Sequence, residues 1–143
     1  MITWHTDNIT APALKRRSLA AWITFVAQSY HKKVGEIACI FCSDEKILEI
    51  NRRYLQHDYY TDIITFDYSM GDTVSGDLFI SLDTVKTNAA LFDVDFRQEL
   101  YRVIIHGVLH LCGQNDKTRK DAALMRRKED DALAQLAEYL PLP

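Results

Sequence analysis

Two histidines, His106 and His110, stand four residues apart in the segment Val103–Asp116, which reads VIIHGVLHLCGQND. On a helix this spacing puts both side chains on one face, one turn apart, with Cβ atoms about 5–6 Å from each other. Imidazoles so placed converge on a single ion at about 2.0–2.1 Å each. Their neighbours in the segment are apolar, and burying two imidazoles without partners costs on the order of a few kcal/mol. A metal turns that cost into binding energy. Gly113 stands where the helix should stop, because glycine readily takes the left-handed conformation of a C′ position. The reversal it permits swings Asp116 back as a third, anionic ligand. Three ligands and an open fourth position describe a catalytic zinc site with one ion per chain, and hydrolysis is chemistry that such an ion supports.

What is missing narrows the reaction. Zinc proteases of the H-E-x-x-H type carry a glutamate beside the first histidine as general base. Here that position is Gly107, so peptide hydrolysis by that route is disfavoured. Cys39-Ile40-Phe41-Cys42 is formally a C-x-x-C, but in a strand residues three apart point to opposite faces, and both cysteines are read as core. Cys112 is expected to pack near the metal without being a nucleophile. Asp62, Asp67 and Asp77 flank apolar strands and read as strand-end hydrogen-bonding groups. No Ser-His-Asp arrangement and no phosphate-cradling glycine loop is apparent.

The elements that must position the site follow from periodicity. Met1–His5 reads as a short edge strand. Leu14, Leu19, Trp22, Ile23, Phe25 and Val26 give an amphipathic helix over Pro12–Tyr30, with Pro12 in its first turn. Glu36–Cys42 is a compact buried strand, and Ser43-Asp44 caps a helix running to about Tyr54. Asp62–Tyr68 and Gly76–Ser81 are strands on either side of a turn at Met70-Gly71-Asp72. A short helix is expected over Asp83–Leu91. Asp95 with Gln98 resembles a capping box and opens the site helix, which runs to about Cys112. A last helix spans about Arg119 to Tyr139. The sum is an α+β fold: a small mixed β-sheet covered by about five α-helices, with the metal site at the C-terminal end of a buried helix.

At 143 residues and 48% hydrophobic content, the chain is expected to form one domain, residues 1–143, with a core that needs no disulfides. The N-terminal MITWHTDNITAP lacks the pattern of a secretory leader, and no apolar run approaches the roughly 20 residues of a membrane helix. Three cysteines, an odd number, suit a reducing compartment, so a cytoplasmic location without membrane contact is expected. A net charge of −3 argues against nonspecific coating of nucleic acid, yet local basic clusters can still meet phosphate. The cluster Lys117–Lys120 directly follows the site. Arg53, Lys117 and Arg119 are the candidate phosphate contacts.

His106-Gly107-Val108-Leu109-His110-Leu111 with Gly113 resembles the H-G-x-L-H-L-x-G-x-D-H signature of the YbeY-type rRNA maturation endoribonucleases. Asn51 with Tyr54, and Thr61-Asp62-Ile63-Ile64-Thr65-Phe66, resemble that family's N-x-x-Y-R…T-[DN]-V-L-S-F segment. Gly76-Asp77-Leu78-Phe79-Ile80-Ser81 resembles its G-D-I-x-I-S strand. The three segments cover roughly residues 36–130 in consistent order. The resemblance implies a zinc-dependent endoribonuclease directed at single strands. It would act in 16S rRNA 3′-end maturation and ribosome quality control, with ribosomal RNA, ribosomal proteins or the small subunit as partners. Met125 resembles the family's methionine beneath the site, and its spacing equally suits core packing.

Three departures stand out. Asp116 occupies the position of a third histidine. Carboxylate is an accepted zinc ligand, but its charge weakens the ion as a Lewis acid, so a more alkaline optimum is expected than with three histidines. Leu55 falls where the family pattern has arginine, so any phosphate contact there must pass to a neighbour such as Arg53. Tyr60 replaces a proline. Two other readings are a non-catalytic ribosome-assembly factor with structural zinc, and a zinc hydrolase of a non-RNA substrate.

Overall fold

Runs of β-branched and aromatic residues form four strands among the described residues: β1 (Ile2–Thr6), β2 (Lys33–Cys42), β3 (Ile63–Asp67) and β4 (Thr73–Ser81). In this computed structural model, which describes residues 1–57 and 59–140, they make one mixed sheet ordered β1-β2-β4-β3. β1 and β4 both run parallel to β2, and β3 pairs antiparallel with β4, Ile64 opposite Phe79. The β3–β4 turn is closed by paired hydrogen bonds between Met70 and Thr73, with Gly71 at positive φ. Both β1 and β3 are therefore edge strands, and β3 is the one beside the histidine helix.

Among the described residues five helices complete the α+β architecture: α1 (Arg16–Ser29), α2 (Asp44–Ile50), α3 (Leu82–Leu91), α4 (Phe96–Leu111) and α5 (Arg119–Leu136). Four of them begin at side-chain caps. Ser43, Ser81, Asp95 and Thr118 accept from the N–H groups of Lys46, Thr84, Arg97 and Asp121 respectively. α1 starts four residues later than its periodicity suggests. Pro12 biases Ala11 away from helical backbone, and Ile9 and Leu14 are tied to the core, so the connection stays open until Lys15. α2 continues as a π-helical turn, Asn51–Leu55, and ends at Gln56 in the left-handed region. β2 begins earlier than expected, with an irregularity between Val34 and Ile37 that its local pattern does not announce.

The main core lies between one sheet face and α1, α4 and α5, and Trp22 of α1 donates its indole N–H to the carbonyl of Ala132 at 2.8 Å. A smaller cluster of Cys42, Ile47, Ile50 and Ile64 sits under α2. Cys39 and Cys42 fall in different clusters, as strand geometry requires, and burial pushes both thiols up to about 12. α4 lies close against the sheet at Gly107, where an added Cβ would come within 2.7 Å of Ile63 and 2.9 Å of Leu78. That approach leaves no room for a glutamate beside His106.

Candidate metal centre

The end of α4 builds the site locally. Cys112 closes the last turn and Gly113 takes φ +99. The Gly113 N–H then bonds the His110 carbonyl at 2.9 Å, and the Gln114 N–H bonds the Leu109 carbonyl at 3.0 Å, which is the Schellman pairing. The chain turns back over the helix, and Asp116 arrives beside the two histidines.

His106 Nε2 and His110 Nε2 lie 3.0 Å apart, and Asp116 Oδ2 lies 3.3 Å from each. Tetrahedral ligands at about 2.0–2.1 Å from a zinc ion are separated by about 3.3 Å, so the triangle has the right size for one ion. The proton inventory points the same way. His110 Nδ1 lies 2.8 Å from the Gln114 carbonyl, which can only accept, so Nδ1 carries the proton. His106 Nδ1 lies 2.6 Å from Glu129 Oε2 and donates to it. In the neutral rings both Nε2 atoms then present lone pairs to each other and to a carboxylate oxygen. Three acceptors aimed at one point repel unless a positive charge sits between them, a metal ion or, in the metal-free protein, a proton on His106 Nε2. His106, His110 and Asp116 are also the group of ligand atoms that could hold a metal ion among the described residues.

Behind the triad stands a support that the sequence did not announce. Glu129 of α5 is 5% exposed and uses both oxygens, Oε2 for His106 and Oε1 for Arg102 Nη1 at 2.9 Å. Arg102 also reaches Asp130 at 2.7 Å. Burial opposes ionisation of Glu129, but the bonds from His106 and Arg102 outweigh it and hold its pKa below the ordinary value. Burial likewise pulls the His106 pKa down, and the Glu129 bond with the charges of Glu129, Asp116 and Asp62 carries it above the ordinary value. A carboxylate on the far nitrogen of a ligating histidine fixes its tautomer and orientation. Two signals for this pair were present: Arg102, His106 and His110 share one helical stripe, and Glu129 takes an inward position between Met125 and Ala132.

The triad opens on two cavities. A groove of about 860 Å³ runs along β3 and the π-helical turn, lined by Leu55, Tyr59, Thr61, Asp62 and Lys117 as it nears the ligands. A pocket of about 300 Å³ lies on the other side, between α3, α4 and α5. His106, Asp116 and Asp62 border both. Asp62 is pushed up in pKa by burial, partly countered by His106 and by backbone N–H groups. Of the three candidate phosphate contacts, Lys117 lines the groove, while Arg53 on the π-helical turn and Arg119 at the start of α5 are exposed and border neither cavity. Leu55 does face the groove. Met125 is buried and lines the pocket, and Cys112 is held as a thiol, its pKa pushed by burial to about 11. Asp67 ends β3 and bonds the Ser69 N–H at 2.8 Å, as a strand-end group does, whereas Asp77 lies in the middle of β4, because that strand starts earlier, at Thr73, and receives the Tyr68 hydroxyl at 3.3 Å.

The His/His/Asp group, two side chains from α4 and one from the turn after it, could hold a metal ion at the junction of an open groove and a pocket, and it lacks the glutamate of the zinc proteases, which fits a hydrolase of another kind. The chain matches the profile of the family described as Endoribonuclease YbeY over residues 2–137, and it belongs to that family. Proteins named Endoribonuclease YbeY from Bacteroides thetaiotaomicron and Parabacteroides distasonis are 60% and 58% identical to it. The matches span 93% of this chain and 97% of the first relative, and 96% of this chain and of the second. The solution structure of TM1509 from Thermotoga maritima superposes with a TM-score of 0.68 at 25% identity, over 96% of this chain and 90% of that one.

Proposed function

We propose that this protein is a zinc-dependent, single-strand-specific endoribonuclease that acts in the cytoplasm in 16S rRNA 3′-end maturation and ribosome quality control, with the small ribosomal subunit as its setting. The observation that carries the metal dependence is the convergence of three ligand atoms at 3.0–3.3 Å. Membership of an endoribonuclease family carries the substrate class. The ribosomal role rests on the motif resemblance.

His106, His110 and Asp116 would hold the ion. When bound, zinc supplies Lewis acidity toward a phosphodiester oxygen and lowers the pKa of water. The chain's own residues do the rest. Glu129 fixes His106 with its free lone pair toward the ligand cluster, and the Gln114 carbonyl does the same for His110. Lys117 offers a positive charge in the groove where Leu55 supplies none, so phosphate positioning falls to it ahead of Arg53 and Arg119. Asp116 as an anionic ligand sets a more alkaline optimum than a third histidine would.

His110→Ala tests the reading. It should abolish zinc binding and cleavage of a defined single-stranded RNA together, leaving the fold intact by circular dichroism. Cleavage by nuclease-free, zinc-free His110→Ala protein would refute it. Leu55 in place of arginine keeps a second reading in view, a ribosome-assembly factor in which zinc is structural. Zinc binding without RNA cleavage would favour that one.

A further inference from the structure

The pocket on the α5 side of the triad contains a group that the metal centre does not use. Glu99 of α4 is 6% exposed, lines the pocket, and makes no side-chain hydrogen bond or ion pair among the described residues. Among the described residues no side-chain polar atom is sealed in without a partner, so the unbonded Glu99 carboxylate opens onto the pocket, where a ligand or water can bond it. Burial raises its pKa, Arg102 and Arg126 oppose the rise while Asp62 and Glu129 add to it, and the net shift is upward.

The rest of the lining describes what would complete it. Phe92, 54% exposed at the end of α3, offers an aromatic face, and Met125 and Val103 give an apolar floor. Asn88, Arg102 and Arg126 add donors. Four carboxyl groups (Asp62, Glu99, Asp116, Glu129) face two guanidinium groups, so the pocket disfavours a phosphate and suits a neutral, flat ring rich in donors. Its volume, about 300 Å³, is at the lower end of small-ligand pockets. Single-stranded RNA is read through splayed bases that stack on aromatic side chains and bond along their edges.

The bases differ in what they give a carboxylate. Guanine alone presents two adjacent donors, N1–H and the N2 amino group, on its Watson–Crick edge. Adenine and cytosine pair one donor with an acceptor, and uracil has one donor between two acceptors. We propose that this pocket is a guanine-reading subsite for the RNA substrate, in which Glu99 accepts from N1–H and the N2 amino group of a base lying against Phe92. The shared border with His106 and Asp116 puts that nucleotide next to the bond being cut. The inference rests on the endoribonuclease reading above, and it adds a base preference to it.

The test is equilibrium binding of fluorescein-labelled 2′-O-methyl hexauridylate to the zinc-loaded protein, with one guanosine moved through each position and probe integrity checked by mass spectrometry. At one position guanosine should tighten binding about tenfold over uridine, the size expected of two well-formed hydrogen bonds. Inosine there, lacking the N2 amino group, should lose about half of that gain on a logarithmic scale. Glu99→Gln should bring the guanosine-to-uridine ratio to within about twofold. The proposal is overturned by a ratio below about twofold at every position, by inosine binding as tightly as guanosine, or by an undiminished ratio in folded Glu99→Gln. The inosine arm reads the same contact on unaltered protein should that variant not fold. RNA cleavage without guanine preference would remove this subsite and leave the endoribonuclease reading standing. Guanine-dependent binding without zinc-dependent cleavage would do the reverse.

Discussion

Replacing Glu129 by glutamine isolates the support behind the candidate metal ligands. The carboxylate accepts at both oxygens, from Arg102 Nη1 at 2.9 Å and from His106 Nδ1 at 2.6 Å. Glutamine keeps the shape but has one acceptor oxygen, so one of these two donors must lose its partner. With the site buried at this point, an unmatched donor costs about 1–3 kcal/mol of stability in the metal-free protein. If the amide turns its NH2 group toward His106, that ring must reverse its tautomer and present a protonated Nε2 to the metal position. If it turns its oxygen there, the His106 bond survives without the carboxylate's charge. Either way zinc affinity should fall about 10–100-fold, equivalent to about 1.4–2.8 kcal/mol. The assay is competition for zinc against a chromophoric chelator, beside denaturant unfolding of the metal-free protein. A folded Glu129→Gln protein that binds zinc within about twofold of the parent would refute this reasoning.

Titration gives a second outcome. The His106 pKa is raised, so its contribution to metal-free stability is complete below its unfolded value of about 6.5 and is lost as pH rises through the folded value. The Glu129 pKa is lowered, so its contribution is complete above about 4.3 and is lost as pH falls through the folded value. The stability gap between the metal-free parent and Glu129→Gln, measured by urea unfolding, should therefore be widest between about pH 4.3 and 6.5 and shrink on both sides. A gap that keeps growing above pH 8 would contradict the assignment. Gly76→Ala places a Cβ 2.4 Å from the Phe66 carbonyl oxygen, a backbone atom that can yield only if β3 moves away from β4. A loss of about 1–3 kcal/mol or more is expected by denaturant unfolding, and a change under 0.5 kcal/mol would contradict the close approach.

Much of the site was legible because it is local. The i, i+4 histidines, the glycine stop and the returning aspartate lie within eleven consecutive residues, and helix geometry with the left-handed turn at Gly113 fixes their relation. The elements were legible for the same reason, since hydrophobic periodicity marks each strand and helix. What the sequence withheld depends on tertiary contact. Glu129 meets His106 across 23 residues, and only the packing of α5 on α4 brings them together. The strand order β1-β2-β4-β3 is likewise set by long-range pairing. Gly107, read as a missing catalytic glutamate, proves also to be the contact that lets α4 lie on β3 and β4. The late start of α1 escaped periodicity because Leu14 is anchored to the core from an extended connection.

The central claim is that His106, His110 and Asp116 hold one zinc ion and that this ion is required for RNA cleavage. The most direct measurement is titration of zinc into rigorously metal-free protein while cleavage of a single-stranded RNA is followed. Activity absent at the start, rising in proportion to added zinc and breaking at one equivalent per chain, is the predicted result. Full cleavage by the metal-free protein, or zinc bound at one equivalent with no cleavage at any point, would contradict it.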